Sequence, residues 1–167
     1  MKILILGHKE HGKTTIAEIF RNEYGLLFND TSMEAAKILI FHKLKHKFNY
    51  NTYEECYNDR RNRRKEWYDL INKYNIKDKT RLTKIILEYN DLYVGMREQH
   101  QINKCIEEKL FDYIIGIYNP QKPLESEESF NIDIFRECDI IFSNTSTKEA
   151  LKIKVKKIFD PIIKKKI

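Results

Sequence analysis

A single α/β domain, built on a parallel sheet with helices on both faces, is what this 167-residue sequence predicts, and three observations carry the prediction. The chain opens on a nearly continuous apolar run that ends at a glycine, the pattern of a buried central parallel strand. A glycine-bounded loop and an amphipathic helix follow that run directly. After residue 90, short apolar runs again alternate with helical periodicity, as parallel strands joined by helical crossovers require.

Each element has its own justification. Residues 1–6, apolar but for Lys2, form the first strand. From Lys13 onward Ile16, Ile19 and Phe20 share one helical face, and Tyr24-Gly25 ends that helix, because glycine accepts the left-handed C-terminal turn. Leu26, Leu27 and Phe28 read as a second short strand that stops at Asn29-Asp30. Thr31 or Ser32 then caps a helix with Met33, Ala36, Ile40 and Leu44 on one stripe. Residues 48–90 change character, being charged and aromatic without strand-like alternation. There Thr52 and Glu55 make a capping box, and Trp67, Leu70, Ile71 and Tyr74 follow at i, i+3, i+4 and i+7. A further amphipathic helix covers 80–88. This stretch is expected to be a helical insertion within one domain spanning 1–167, since nothing in it supplies a separate core. Beyond it lie a strand at 92–96, a helix at 98–110 and a strand at 113–118. Residues 119–131 form a proline-containing acidic loop. A helical turn at 132–137, a strand at 140–142 and a helix at 147–159 complete the domain, and Lys164, Lys165 and Lys166 read as a solvated tail.

Composition narrows the classes. There are 31 Lys+Arg against 25 Asp+Glu, a formal charge of +6, and 41% of residues are hydrophobic, enough for a real core. Five glycines and three prolines are too few for a linker-rich or fibrous chain. No apolar run approaches the roughly 18 residues that cross a bilayer, and the N-terminus lacks a signal-peptide pattern, so a soluble protein without a membrane partner is expected. Cys56, Cys105 and Cys138 make neither an even disulfide framework nor a C-x-x-C metal pattern. They are expected as reduced thiols in the cytoplasm.

Gly7-His8-Lys9-Glu10-His11-Gly12-Lys13-Thr14 satisfies G-x-x-x-x-G-K-[ST], the Walker A phosphate loop, between a predicted strand and a predicted helix. Gly7 and Gly12 allow successive backbone N–H groups to wrap phosphate oxygens, and the helix starting near Lys13 aims its positive end at the same anion. Lys13 is the expected partner of the β- and γ-phosphates, and the Thr14 hydroxyl the expected Mg²⁺ ligand, with Thr15 next in the first turn. His8 and His11 read as loop filling in preference to a metal pair. A GTPase needs a guanine-reading N-K-x-D, and Asn119-Pro120-Gln121-Lys122 lacks the acidic residue. Motor ATPases end a hydrophobic strand in Asp-Glu, whereas here Leu92 to Met96 runs into Arg97-Glu98. A small phosphotransferase is left.

A nucleotide kinase must hold a second anion, and arginine pairs with phosphate bidentately. Asp59-Arg60-Arg61-Asn62-Arg63-Arg64 offers four arginines on one predicted helix. Arg60, Arg64, Trp67 and Tyr68 fall at i, i+4, i+7 and i+8, which sets two guanidinium groups beside two rings that could stack on a base. The other reading is a basic surface helix with Trp67 turned into the core.

With these motifs in place, the chain resembles the P-loop deoxynucleoside monophosphate kinase-like proteins of bacteriophages, a branch of the nucleotide kinase superfamily. The resemblance rests on residues 3–15, on Glu54-Glu55-Cys56-Tyr57-Asn58-Asp59-Arg60 continuing to Trp67-Tyr68, on Tyr93-Val94-Gly95-Met96-Arg97, and on residues 138–150. It implies a P-loop kinase fold with a five-stranded parallel sheet in the order 2-3-1-4-5, and ATP- and Mg²⁺-dependent phosphoryl transfer. It also implies that Arg97 contacts substrate or phosphate at the end of the third strand, and that Asn144 and Thr145 lie beside the adenine. Two departures stand out. Residues 119–131 are acidic where related kinases close a basic lid, leaving the arginines of 60–64 as substitutes. The strand ending at Met96 also lacks a terminal Asp for the Mg²⁺ shell, so Asp30 is the alternative carboxylate, its other role being a helix cap.

The expected function is therefore transfer of the ATP γ-phosphoryl group to a nucleoside monophosphate, a deoxynucleotide under the resemblance, in the cytoplasm of the host if the chain is phage-encoded. Lys13, Arg97, Asp30, Arg60 and Arg64 would act by positioning and charge stabilisation. Asp30, Arg60, Arg64, Trp67, Tyr68 and Arg97 form the expected acceptor side. The alternatives are a kinase acting on a hydroxymethylated base in phage DNA, and a low-turnover NTP-binding regulatory module whose arginines grip a protein or nucleic acid. A homodimer is left open.

Overall fold

In the computed structural model, which describes residues 1–164, Ile3, Leu4, Ile5 and Leu6 are wholly buried and form β1 (Ile3–Leu6). β1 pairs in parallel with β2 (Leu92–Val94) on one side and β3 (Tyr113–Tyr118) on the other, and β3 pairs in parallel with β4 (Ile140–Ser143). The order is β2-β1-β3-β4, with Ile5 level with both Val94 and Ile115. Alternation along β1 sends Ile3 and Ile5 to the face that carries Ile16 and Phe20 of α1 (Lys13–Tyr24) and Leu151 and Phe159 of the last helix, α9 (Lys148–Lys164). Phe20 and Phe159 meet edge to face at 4.8 Å, and full burial of each ring contributes about 1.5–3 kcal/mol. Leu4 and Leu6 point to the opposite face. There Gly116 admits the Cys138 sulfur, 3.0 Å from where a Cβ would stand, just after α8 (Ile134–Glu137), and α7 (Gln99–Glu107) buries Ile102 and Cys105.

The sheet has four strands where five were expected, and the missing one is 26–28. Leu27 O accepts both Asp91 N–H at 2.8 Å and Leu92 N–H at 3.1 Å, while the Asp91 carboxylate takes Leu27 N–H at 2.8 Å. A side chain thus captures the donor a ladder needs, and the segment lies beside the start of β2 without becoming a strand. The four real strands keep the relative positions that 2-3-1-4-5 assigns them. At the other end α9 runs past the expected stop at 159 and through Pro161. Proline forfeits one N–H in this last part of the helix, but Ile162 and Ile163 pack against the core and Tyr24 donates to Asp160 at 2.8 Å. Of the expected lysine tail, Lys164 ends α9, while Lys165 and Lys166 lie outside the described residues. Among the described residues no helix is long and apolar enough to cross a membrane.

The strands and these helices form one compact unit, residues 1–28 with 91–164, and residues 29–90 form another. The second unit contains α2 (Thr31–Ala35), a π turn (Ala36–Ile40), α3 (Phe41–Phe48), α4 (Tyr53–Asn58), a 3₁₀ turn (Asp59–Arg61), α5 (Arg64–Tyr74) and α6 (Arg81–Tyr89). It begins at 29, not 48, because the buried Ala36, Leu39 and Ile40 lie on the π turn against which α4 and α5 pack. Residues 48–90 thereby share a core with 29–47, which their own composition did not foretell. The cap of α2 is Asp30, not Thr31 or Ser32, its carboxylate accepting Met33 N–H at 3.0 Å. Thr52 caps α4 as expected, accepting Glu55 N–H at 3.2 Å, while the Glu55 carboxylate reaches one residue further back, to Asn51 N–H at 2.7 Å.

The single helix expected through 59–68 is broken. The Asp59 carboxylate accepts from Tyr50 Oη at 2.6 Å, Asn62 Nδ2 at 2.7 Å and Arg63 Nε at 2.9 Å, and this knot bends the chain between α4 and α5. Arg60 sits in the 3₁₀ turn and Arg64 starts a new helix, so the two do not share a helical face.

Candidate phosphate-binding site

The loop at residues 7–12 leaves the carboxyl end of β1 and enters α1, and its two glycines are there for steric reasons. Gly7 has φ 151°, and a Cβ on it would lie 2.5 Å from Ile117 O. Gly12 has φ 110°, and a Cβ there would lie 2.5 Å from Asn144 Nδ2. Backbone wraps this closely only without side chains. Glu10, at the apex, also holds a left-handed φ of 64°. Together Glu10, Gly12, Lys13, Thr14, Thr15 and Lys122 line a cavity of about 390 Å³. The open N–H groups of α1's first turn make its start attractive to an anion.

Lys13 is folded onto the loop itself, donating to Gly7 O at 2.8 Å and His8 O at 2.7 Å. Burial, and then the positive charge of Arg97, push its amine down to about 8, with Glu125 pulling the other way. An ammonium in this state gains from any anion that enters beside it.

Residues 119–131 form a strap held on this loop. Asn119 N–H donates to His11 Nδ1 at 3.2 Å, so the ring proton lies on Nε2 and points to Pro123 O at 3.2 Å. Glu125 N–H donates to His8 Nδ1 at 3.0 Å, and the His8 ring lies 4.5 Å from Phe130, which is buried. Burial and the neighbouring His11 lower the His8 pKa. The two histidines are the loop's grip on the strap. The Glu125 carboxylate closes the arrangement, accepting Lys9 N–H at 2.7 Å with one oxygen and Arg97 Nη1 at 2.8 Å with the other. Burial works to raise the Glu125 pKa, but the Arg97 bond and charge outweigh it and hold the carboxyl below its ordinary value. Arg97 also donates to Ser129 O at 3.1 Å.

The expected nucleotide-side residues converge here. Asn144, at the end of β4, donates to His11 O at 3.0 Å and pins the loop backbone, while Thr145 is exposed beside it. Arg97 follows β2 and lies within electrostatic reach of Lys13. Ends of all four strands therefore contribute, the arrangement open parallel sheets use to bind ligands.

Of the expected acceptor residues, Arg97 stands at the loop just described, whereas Asp30, Arg60, Arg64, Trp67 and Tyr68 belong to the unit at 29–90. Arg60 places its guanidinium carbon 3.8 Å over the Tyr57 ring and donates to Tyr57 O at 2.9 Å. Burial, followed by the charge of Asp30, raises the Tyr57 pKa, so Asp30, Tyr57 and Arg60 form one local group. Arg64 and Tyr68 are exposed, whereas Trp67 is 7% exposed and turned into the core, its indole N–H without an acceptor among the described residues. The pair of stacking rings read from i+7 and i+8 is thus split, one ring inside and one outside. Sequence reasoning missed Lys122 and Glu125, because the acidity of 119–131 told against any role at the phosphates. The only local signal was the lone lysine between two prolines. Comparison with protein-family models and with curated proteins found no significant match.

Proposed function

We propose that the chain binds ATP through residues 7–15 and transfers its γ-phosphoryl group to a nucleoside monophosphate. The observation that carries the reading is the cavity of about 390 Å³ at the start of α1, walled by Lys13, Thr14, Thr15 and Lys122 around a backbone that only glycine permits at residues 7 and 12. Its residues suit a polyphosphate: two ammonium groups, a helix start, and a hydroxyl on Thr14 for the Mg²⁺ that such a ligand carries. When bound, MgATP supplies the phosphoryl group. Lys13 leaves the carbonyls of Gly7 and His8 for the phosphates and neutralises the charge that grows on them in the transition state, with Arg97 as second cation. Asn144 holds the loop in shape.

For the acceptor, Asp30, Tyr57 and Arg60 are the candidate group on the helical unit, with Arg64 and Tyr68 exposed nearby in sequence. Arg61, Arg64 and Lys65 are exposed too, and this run of cations favours, as a second reading, an acceptor that is a base within DNA. One assay separates them. ADP formation is measured against the common nucleoside monophosphates and against hydroxymethyl-containing DNA, with Lys13→Ala as control. Turnover with a free monophosphate, abolished in Lys13→Ala, is expected. Turnover only with DNA selects the second reading. ATP binding without turnover on any acceptor makes the chain a regulatory module, and a Lys13→Ala protein as active as wild type removes the phosphate-loop assignment.

A further inference from the structure

Strap residues 121–130 are exposed with two exceptions, Phe130, which is buried, and Glu125, which is half-buried. The Glu125 carboxylate does not face solvent or a helix end. It sits on a backbone N–H of the phosphate loop and on Arg97, two groups suited to bind an anion. Its neighbours Glu127 and Glu128 are exposed, so acidity of the strap in general is not what holds it. Three residues before it, Lys122 of the same strap lines the cavity beside Lys13. The strap therefore brings one negative and one positive side chain to a single site.

We infer that Glu125 is an internal anion that occupies the phosphate loop until a nucleotide phosphate displaces it, making residues 119–131 a carboxylate latch. This rests on the reading of residues 7–15 as a polyphosphate site. The exchange keeps both hydrogen bonds and brings in further negative charge. A phosphate oxygen takes over Lys9 N–H and the Arg97 guanidinium, Glu125 moves into water, and Lys122 stays on the strap to meet the incoming charge. The turn that joins Glu125 to Phe130, closed by Ser129 N–H at 2.9 Å and Phe130 N–H at 3.0 Å to Ser126 O, keeps the strap attached through the buried Phe130. Nucleotide affinity is then reduced by the fraction of molecules with the latch closed.

Calorimetric titration of MgATP and of inorganic tripolyphosphate into wild type, Glu125→Ala and Glu125→Gln tests this. Glu125→Ala is expected to bind both ligands about tenfold more tightly, since only a minority of wild-type molecules are open. Glu125→Gln, which keeps the shape but not the charge, is expected about threefold tighter, and serves if the alanine variant fails to fold. Amide exchange adds a readout without nucleotide: Lys9 N–H is protected in wild type and loses protection in Glu125→Ala. Equal or weaker binding in the folded variants overturns the latch and leaves Glu125 a structural brace, while the phosphate-loop reading stands. Failure of both wild type and the variants to bind either ligand removes the phosphate-loop reading, and the latch falls with it.

Discussion

The side-chain amide of Asn144 donates to the backbone carbonyl of His11, and its nitrogen stands 2.5 Å from where a Cβ on Gly12 would lie. The residue that follows β4 thereby holds the loop at 7–12 just before it turns into α1. Asn144→Ala is expected to cost about 0.5–1.5 kcal/mol of stability, the net value of one hydrogen bond, and to weaken ATP binding by several-fold. Asn144→Asp is expected to be worse than Ala, because a carboxylate would face the His11 carbonyl. Urea denaturation with ATP titration on the same samples checks both; equal ATP affinity in all three proteins would detach Asn144 from the site.

Gly7→Ala and Gly12→Ala differ in what they strike. The new methyl at residue 7 meets the Ile117 carbonyl of β3, which cannot move without bending the sheet, while at residue 12 it meets a side chain that can swing away. Both also carry the strain of a left-handed φ. Gly7→Ala is expected to lose at least about 2 kcal/mol of folding stability. Gly12→Ala should fold more nearly normally yet lose ATP binding. Thermal melts and ATP titration separate the two outcomes.

The amine of Lys13 titrates near 8 in the folded protein against 10.5 ordinarily. Between those values the unfolded chain binds more protons than the folded one, so stability rises with pH across that window. Put the other way, the penalty of burying the ammonium is fully present below pH 8 and gone by pH 10.5. Lys13→Met lacks this titration, so the stability of wild type relative to it is expected to rise between pH 8 and pH 10.5. For binding the sign reverses, because phosphates need the charged amine. ATP affinity of wild type should fall as pH rises above 8. Calorimetry between pH 7 and 10 reads this directly.

Phe159 carries the docking of α9. Its ring has no exposed surface and lies against Phe20 at 4.8 Å and Tyr113 at 5.6 Å. Phe159→Ala is expected to destabilise by about 3–5 kcal/mol. Ion pairs join α1 to α9, Glu18 with Lys148 and Glu23 with Lys152 and Lys156; the Glu18 pair is exposed, and Glu18→Gln should change the folding free energy read by urea denaturation by no more than about 1 kcal/mol.

What could be read from the sequence alone was whatever contiguous residues decide. Ile3 to Leu6, the loop and α1 follow one another within about twenty residues, so burial period, glycine punctuation and helix start are all local statements. The same holds for the four strands that formed and for Thr52 as a cap. Where a distant group intervened, local pattern lost. Leu26 to Phe28 has strand composition, but the carboxylate of Asp91 took its N–H. Residues 59–68 have helical periodicity, but Asp59 gathered Tyr50, Asn62 and Arg63 into a turn, and the Trp67 ring expected to stack on a base turned into the core with its apolar stripe. Most of all, the relation of Glu125 to Lys9 spans 116 positions in the chain. Acidity and basicity are legible in a sequence as sums over a segment, whereas whether one carboxylate among several meets one backbone N–H is decided only when the sheet brings the ends of β1, β2 and β3 side by side.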